Sequence, residues 1–183
     1  SEIVVQKFGG TSVGTVDRID SVAEIIKNAS KSNQIVVVVS AMGGETNRLV
    51  DLAKAFGDDP DKREFDALVS TGETVSSALL TMALHSKGIK AKSFSASQIS
   101  MRTTSSYSKA KILDVDAKKI LDVIDSDTIP IITGFQGVTE GGDVTTLGRG
   151  GSDTTAVAIA AQIDAVRCDI YTCLLYTSPS PRD

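Results

Sequence analysis

Four short stretches of this chain are apolar almost without interruption: EIVVQKF at 2–8, QIVVVVSAM at 34–42, IPIITGF at 129–135 and CDIYT at 168–172. A strand with one face in water alternates apolar and polar side chains. A run such as IVVVV at 35–39 has no polar face to offer, so it has to be covered on both sides. Helical periodicity fills the intervals. Ile19, Val22, Ala23, Ile26 and Ala29 recur at helical spacing and predict an amphipathic helix over 15–32. Leu49, Leu52, Ala53 and Phe56 predict a second helix, stopped by GDDP, and Val75, Leu79, Met82 and Ala83 a third over 72–87, ended by Gly88. Ile120, Leu121 and Ile124 mark a fourth, and a fifth begins after Ser152. Doubly buried strands alternating with helices dictate an α/β fold, with a largely parallel sheet and helices on both faces.

The 183 residues make one domain by size, and 41% apolar content is ordinary for a protein with one core. Composition excludes several kinds of chemistry. A formal net charge of −4 argues against a general basic field for nucleic acid. No apolar run reaches membrane-spanning length and no signal-peptide pattern opens the chain, so no membrane partner and a cytoplasmic location are expected. The single histidine, His85, falls near the end of the third helix, where it is expected to face solvent or the helix C-terminus. Cys168 and Cys173 lie five apart, which is neither a metal nor a redox spacing. No metal site is predicted, and a Ser–His–Asp triad has almost nothing to be built from.

In parallel sheets ligands bind beyond the carboxyl ends of the strands. Here KFGGTS, SAMGG and TGFQG place glycine and polar residues at three such ends. Lys7, with Gly9 and Gly10 just after it, suits phosphate: the ammonium neutralises charge on a transferring phosphoryl group while glycine amides hold its oxygens. The bland alternative is a lysine that snorkels out of the sheet. GGTSVG is not a dinucleotide loop, since the spacing is not GxGxxG and the second strand ends in Ser40 rather than an acidic residue; a GxxxxGK[ST] loop is also absent. In VTTLGRGGSDTTA at 144–156, Gly148, Gly150 and Gly151 allow a tight turn that feeds a helix through the N-cap types Ser152 and Asp153. Such a turn favours an anion, or is simply an ordinary glycine turn before a cap. Glu73 in VSTGETVSSALL sits in a first helical turn, where the dipole alone would favour it. Opposed to Arg149 it gives a carboxylate and a guanidinium able to grip a zwitterion, which predicts a small amino-acid substrate.

KFGGTSV at 7–13, VVVVSAMGGETN at 36–47, LVSTGE at 68–73, GFQGV at 134–138 and DVTTLGRGGSDTTAVAIAA at 143–161 together resemble the aspartate kinases, and more broadly the amino-acid kinase superfamily. The resemblance covers residues 1–172. It implies a three-layer α/β/α domain that transfers the γ-phosphoryl of ATP, with Mg²⁺, to the side-chain carboxylate of L-aspartate, the first step towards lysine, threonine and methionine. By the same resemblance Lys7 and Asp153 are catalytic, the aspartate orienting the lysine. Lys7, Phe8, Gly9, Gly10, Ser40 and Thr172 belong to the nucleotide site, and Thr46, Glu73, Arg149, Gly150, Gly151 and Ser152 to the substrate site. Sister kinases acting on acetylglutamate or glutamate, and a non-catalytic fragment, are the rival readings. Family members continue CDIYT with a run whose first aspartate is replaced here by Cys173, and CLLYTSPSPRD follows. Residues 173–183 are therefore expected to be artefactual or disordered, and the domain to be cut short on its C-terminal side. The resemblance places an oligomer interface in C-terminal ACT domains.

Overall fold

Val4, Val5, Phe8 and every residue from Val36 to Val39 have no exposed surface, as doubly covered strands require. The computed structural model describes residues 2–172, so the expectation for 173–183 lies outside the described residues. The first half alternates β1 (Ile3–Phe8), α1 (Val16–Ala29) and β2 (Gln34–Val39), then three helices, α2 (Glu45–Ala53), α3 (Lys62–Val69) and α4 (Thr71–Ser86). The second half runs β3 (Ala91–Phe94), β4 (Arg102–Thr103), β5 (Ile112–Asp114), α5 (Ala117–Asp125), β6 (Ile129–Thr133), β7 (Gln136–Val138), β8 (Val144–Thr146), α6 (Gly151–Gln162) and β9 (Arg167–Tyr171).

The main sheet has the order β3-β6-β2-β1-β9 with every pair parallel. Alternation along each strand divides the core. Val4 and Phe8 of β1, Val37 and Val39 of β2 and Ile131 of β6 pack with Ile19, Val22 and Ile26 of α1 and Leu80 and Leu84 of α4. Val5, Val36, Val38 and Ile132 point the other way, onto Ile120 and Ile124 of α5 and Ala156 and Ile159 of α6. This is the predicted parallel sheet between two helical layers. Fully buried side chains such as Ile26 and Ile159 each contribute on the order of 2 kcal/mol through water exclusion. Side chains cap α1 and α5: Thr15 accepts from the Arg18 amide, and Asp116 from those of Lys118 and Lys119.

Several expectations are corrected. The second strand stops at Val39 rather than running to Met42, because Ser40 onward turns across the sheet end. Phe56 lies beyond the end of α2 and is fully exposed. α4 buries Glu73, Ser76, Ser77, Leu80, Thr81 and Leu84, leaving Val75 and Met82 49% and 63% exposed. The predicted face is out of phase because buried polar groups occupy most of the true one. The fifth helix begins at Gly151 with Gly150 as its N-cap, so Ser152 and Asp153 lie inside its first turn. α3 and a second sheet, β5-β4-β7-β8, were not anticipated; strands of two or three residues show no period. The helical stretch Lys62–Ser86 is long and apolar enough by composition to cross a membrane, against expectation. Half of its apolar window is buried inside the fold, as in a core helix.

Candidate active site

The carboxyl ends of β1, β2 and β6 open into a cavity of about 340 Å³ lined by Lys7, Gly10, Ser40–Gly44, Thr46, Asn47, Glu73, Phe135, Gly148 and Gly150–Asp153. Lys7 points to the α6 side of the sheet by the same alternation that buries Val5 there. Its Nζ stands 2.8 Å from Oδ1 of Asp153, with a lysine side chain only 10% exposed against 54% for the aspartate. Rather than snorkelling out of the sheet, the ammonium stops inside the cavity, against a partner in the first turn of α6. A Cβ added to Gly9 would lie 3.3 Å from that Nζ, so the glycine backbone passes directly beside the charge.

Two loops form the cavity floor by close backbone approach. The Gly43 amide donates to the Gly10 carbonyl at 3.0 Å, and a Cβ on Gly10 would come within 3.1 Å of the Ala41 carbonyl oxygen. Two helices start here, and a third runs past as the continuation of α3. α2 and α6 begin at Gly44 and Gly150, both in the left-handed region (φ 84° and 72°) and neither capped by a side chain; the first turn of α4 carries Glu73. The positive dipole ends of α2 and α6, neither carrying a side-chain cap, favour an anion at their meeting point.

Glu73 is 3% exposed. Its Oε2 accepts the Ala41 amide at 3.3 Å and its Oε1 has no partner among the described residues. Burial pushes its pKa up to about 8, against the smaller pull of backbone amides. Near neutral pH it therefore keeps its proton, and an ammonium group beside it would draw the proton off. Ser76 of the same helix donates to the Ser40 carbonyl at 2.7 Å, tying α4 to the end of β2. Gln136 secures the α3–α4 junction: its Nε2 donates to the Ser70 carbonyl at 2.6 Å and to Thr74, while its Oε1 accepts the Thr133 hydroxyl at 2.8 Å.

The structure thus brings Lys7, Gly10, Ser40, Thr46, Glu73, Gly150, Gly151, Ser152 and Asp153 to one cavity. Arg149 is exposed on the turn between two lining glycines, is not itself a lining residue, and forms no ion pair with Glu73. Phe8 lies off the cavity wall, its ring buried in the core and stacked on Tyr171 at 4.6 Å between centroids. Thr172 is exposed just after β9, also off the cavity wall. Sequence reading missed Asn47 and Phe135. Phe135 lies in TGFQG, a stretch already singled out, but its left-handed backbone (φ 69°) is a tertiary fact with no sequence mark.

Comparison with known proteins gives a consistent picture. The model of the amino acid kinase family matches residues 2–173. The chain is 55% identical over 171 residues to an aspartokinase of Geobacillus stearothermophilus and 54% identical to an aspartate kinase of Stutzerimonas stutzeri, in each case over 93% of this chain and 42% of the relative. It spans less than half the length of these curated relatives. Among solved structures it superimposes on aspartokinase III of E. coli in complex with aspartate and ADP with a TM-score of 0.83 at 28% identity, over 93% of this chain and 49% of that one. The aspartate kinase of Synechocystis matches with a TM-score of 0.79 at 45% identity, over 94% and 28%.

Proposed function

Because this chain belongs to the amino acid kinase family, we propose that the protein it represents transfers the γ-phosphoryl group of ATP to the side-chain carboxylate of L-aspartate, giving 4-phospho-L-aspartate. The observation that carries this reading is the shared cavity of Lys7, its partner Asp153 and the buried Glu73, at the meeting of the N-termini of α2 and α6. The relatives' names support the choice of amino acid, and the complex of the E. coli enzyme with aspartate and ADP supports the choice of nucleotide.

In this reading one oxygen of the substrate's side-chain carboxylate attacks the γ-phosphorus, the bond to the β-phosphate oxygen breaks, and ADP leaves with its electron pair. The nucleophile is already an anion, so no proton has to move. Lys7, steered by Asp153, and the amides of Gly9 and Gly10 stabilise charge on the transferring group, with Ser40 beside them. Glu73 and Thr46 receive the α-ammonium; Arg149, Gly150, Gly151 and Ser152 receive the α-carboxylate. Thr172 borders the nucleotide, while Phe8 has no side-chain part. Bound with ATP, Mg²⁺ would neutralise part of the charge on the phosphates.

The test is a chimera of residues 1–172 with the remaining length of the Geobacillus stearothermophilus aspartokinase, assayed by trapping acyl phosphate with hydroxylamine. Lys7→Ala is expected to lower kcat by about 100-fold or more while the KM for L-aspartate changes little, because the charge matters most during transfer. Near-normal turnover would remove Lys7 from the chemistry. A preference for L-glutamate or N-acetyl-L-glutamate over L-aspartate would replace the substrate.

A further inference from the structure

Asp66 of α3 has no exposed surface and lies outside the cavity, yet it is the most heavily hydrogen-bonded carboxylate among the described residues. Its Oδ2 accepts the amides of Thr146 and Ser108, both at 2.8 Å, and its Oδ1 accepts the Thr146 hydroxyl at 2.9 Å. These bonds reach two segments that are remote in sequence and join at one place. Thr146 ends β8, three residues before Arg149. Ser108 has a left-handed backbone (φ 69°), a conformation serine rarely adopts unaided, and its amide is held by Asp66. The Ser108 carbonyl then lies against Gly148, 3.2 Å from where a Cβ would stand, and the Ala110 amide donates to the Thr146 carbonyl at 3.0 Å. On the other side, α3 passes into α4 at Ser70, so Asp66 precedes Glu73 by only seven residues along nearly continuous helix.

We infer that Asp66 is a positioning residue that fixes the span between Glu73 and the Arg149 turn, and with it the length of amino acid the site accepts. The inference rests on the functional reading above, in which those two side chains hold the two ends of a zwitterion. Nothing else among the hydrogen bonds of the described residues ties α3 to the glycine turn so directly. Removing the carboxylate leaves a buried amide, a half-buried amide and a hydroxyl unpaired at once, and the turn loses its anchor from both sides. Asparagine can reproduce the geometry: its carbonyl oxygen accepts the two amides and its Nδ2 donates to the Thr146 hydroxyl oxygen.

The test compares the 183-residue chain with its Asp66→Ala and Asp66→Asn variants by hydrogen exchange and by titration with L-aspartate, L-glutamate and inorganic triphosphate. Asp66→Ala is expected to speed exchange at Ser108, Thr146 and residues 147–151 by at least about tenfold while α1 stays protected. It should weaken L-aspartate by about tenfold or more, narrow the preference over L-glutamate, and leave triphosphate within about twofold. Asp66→Asn should retain L-aspartate affinity within about threefold. Equal loss of both ligands would mean a merely global role, and an asparagine variant as weak as the alanine one would mean that charge, not geometry, is what matters; either overturns the inference. If the unaltered chain binds triphosphate but not L-aspartate, the substrate reading itself fails and the inference falls with it. Should Asp66→Ala not fold, Thr146→Val removes the hydroxyl bond alone and carries the same expectation at about threefold; no change in that variant overturns the inference.

Discussion

A carboxyl group taken out of water has to be paired or neutral, and Glu73, half-satisfied by one amide, is neutral near pH 7 with a pKa of about 8. Two consequences follow for pH. In the unfolded chain the group ionises near 4.5, so between there and about 8 the native state holds a proton the unfolded state has lost. Stability should therefore fall as pH rises through that window, by on the order of 3–5 kcal/mol at most. Denaturation at about pH 5, 7 and 9 checks this; Glu73→Gln should flatten the profile, and an unchanged slope would assign it to other groups. L-Aspartate binding near neutral pH should also release a proton, seen as a dependence of binding heat on the buffer's ionisation enthalpy. At this scale Lys7 and Glu73 were singled out by their places at a strand end and a helix start, and Asp153 by the family resemblance; the structure gathers all three in one cavity. Asp66 and Gln136 were not. A buried hydrogen-bond hub looks in sequence like any polar residue on a helix or strand, and only the topology brings its partners to it.

Among the elements, α4 carries the most consequential disagreement between sequence and structure. Counting apolar residues favours Val75 and Met82, whereas the helix buries a polar stripe that reaches Ser40 and Ala41. Periodicity read α1 and α5 correctly because those helices bury only aliphatic side chains; it fails on α4, where polar groups go inside. The fit of α4 against the end of β2 is close: a Cβ on Gly72 would lie 2.8 Å from the Ala41 Cβ and 3.5 Å from Leu49 Cδ1. Gly72→Ala gains about 1 kcal/mol of helix propensity. It meets an overpacking cost of about 1–3 kcal/mol, because Ala41 is buried on the rigid end of the sheet. Overpacking wins, so the variant should be less stable by roughly 1 kcal/mol and should shift the Ala41 amide away from Glu73. Urea denaturation with a matched titration of L-aspartate decides it; a variant more stable than the parent would show that α4 can slide. The second sheet was invisible for another reason. Its strands are two or three residues long, and their pairing is set by what they join rather than by any pattern of their own.

At the scale of the molecule, both apolar clusters share one sheet, and the cavity collects residues from 7 to 153. The general architecture was readable because doubly buried strands admit few arrangements, while the second sheet and the depth of Arg149 depend on contacts between distant segments. That same dispersal governs time. β1, which delivers Lys7, pairs on one side with β2, where Ile3 meets Gln34, and on the other with β9, where Val4 meets Arg167. The first pairing closes a short loop; the second has to wait for nearly the whole described chain to be threaded and packed. A helix, a hairpin or the β1–α1–β2 unit can form early, but the lysine cannot meet Asp153 until α6 has docked just ahead of β9. Refolding should therefore show secondary structure well before any capacity to bind inorganic triphosphate, which should appear only in the last major phase. The same ligand, added to the native protein, should slow unfolding and leave the early folding steps untouched. Stopped-flow circular dichroism beside a triphosphate-competition signal reads both, and binding already present in the first phase would mean that β1, α1 and β2 make a phosphate cradle without help. The meeting of Lys7 with Asp153 is thus the slowest property this chain acquires.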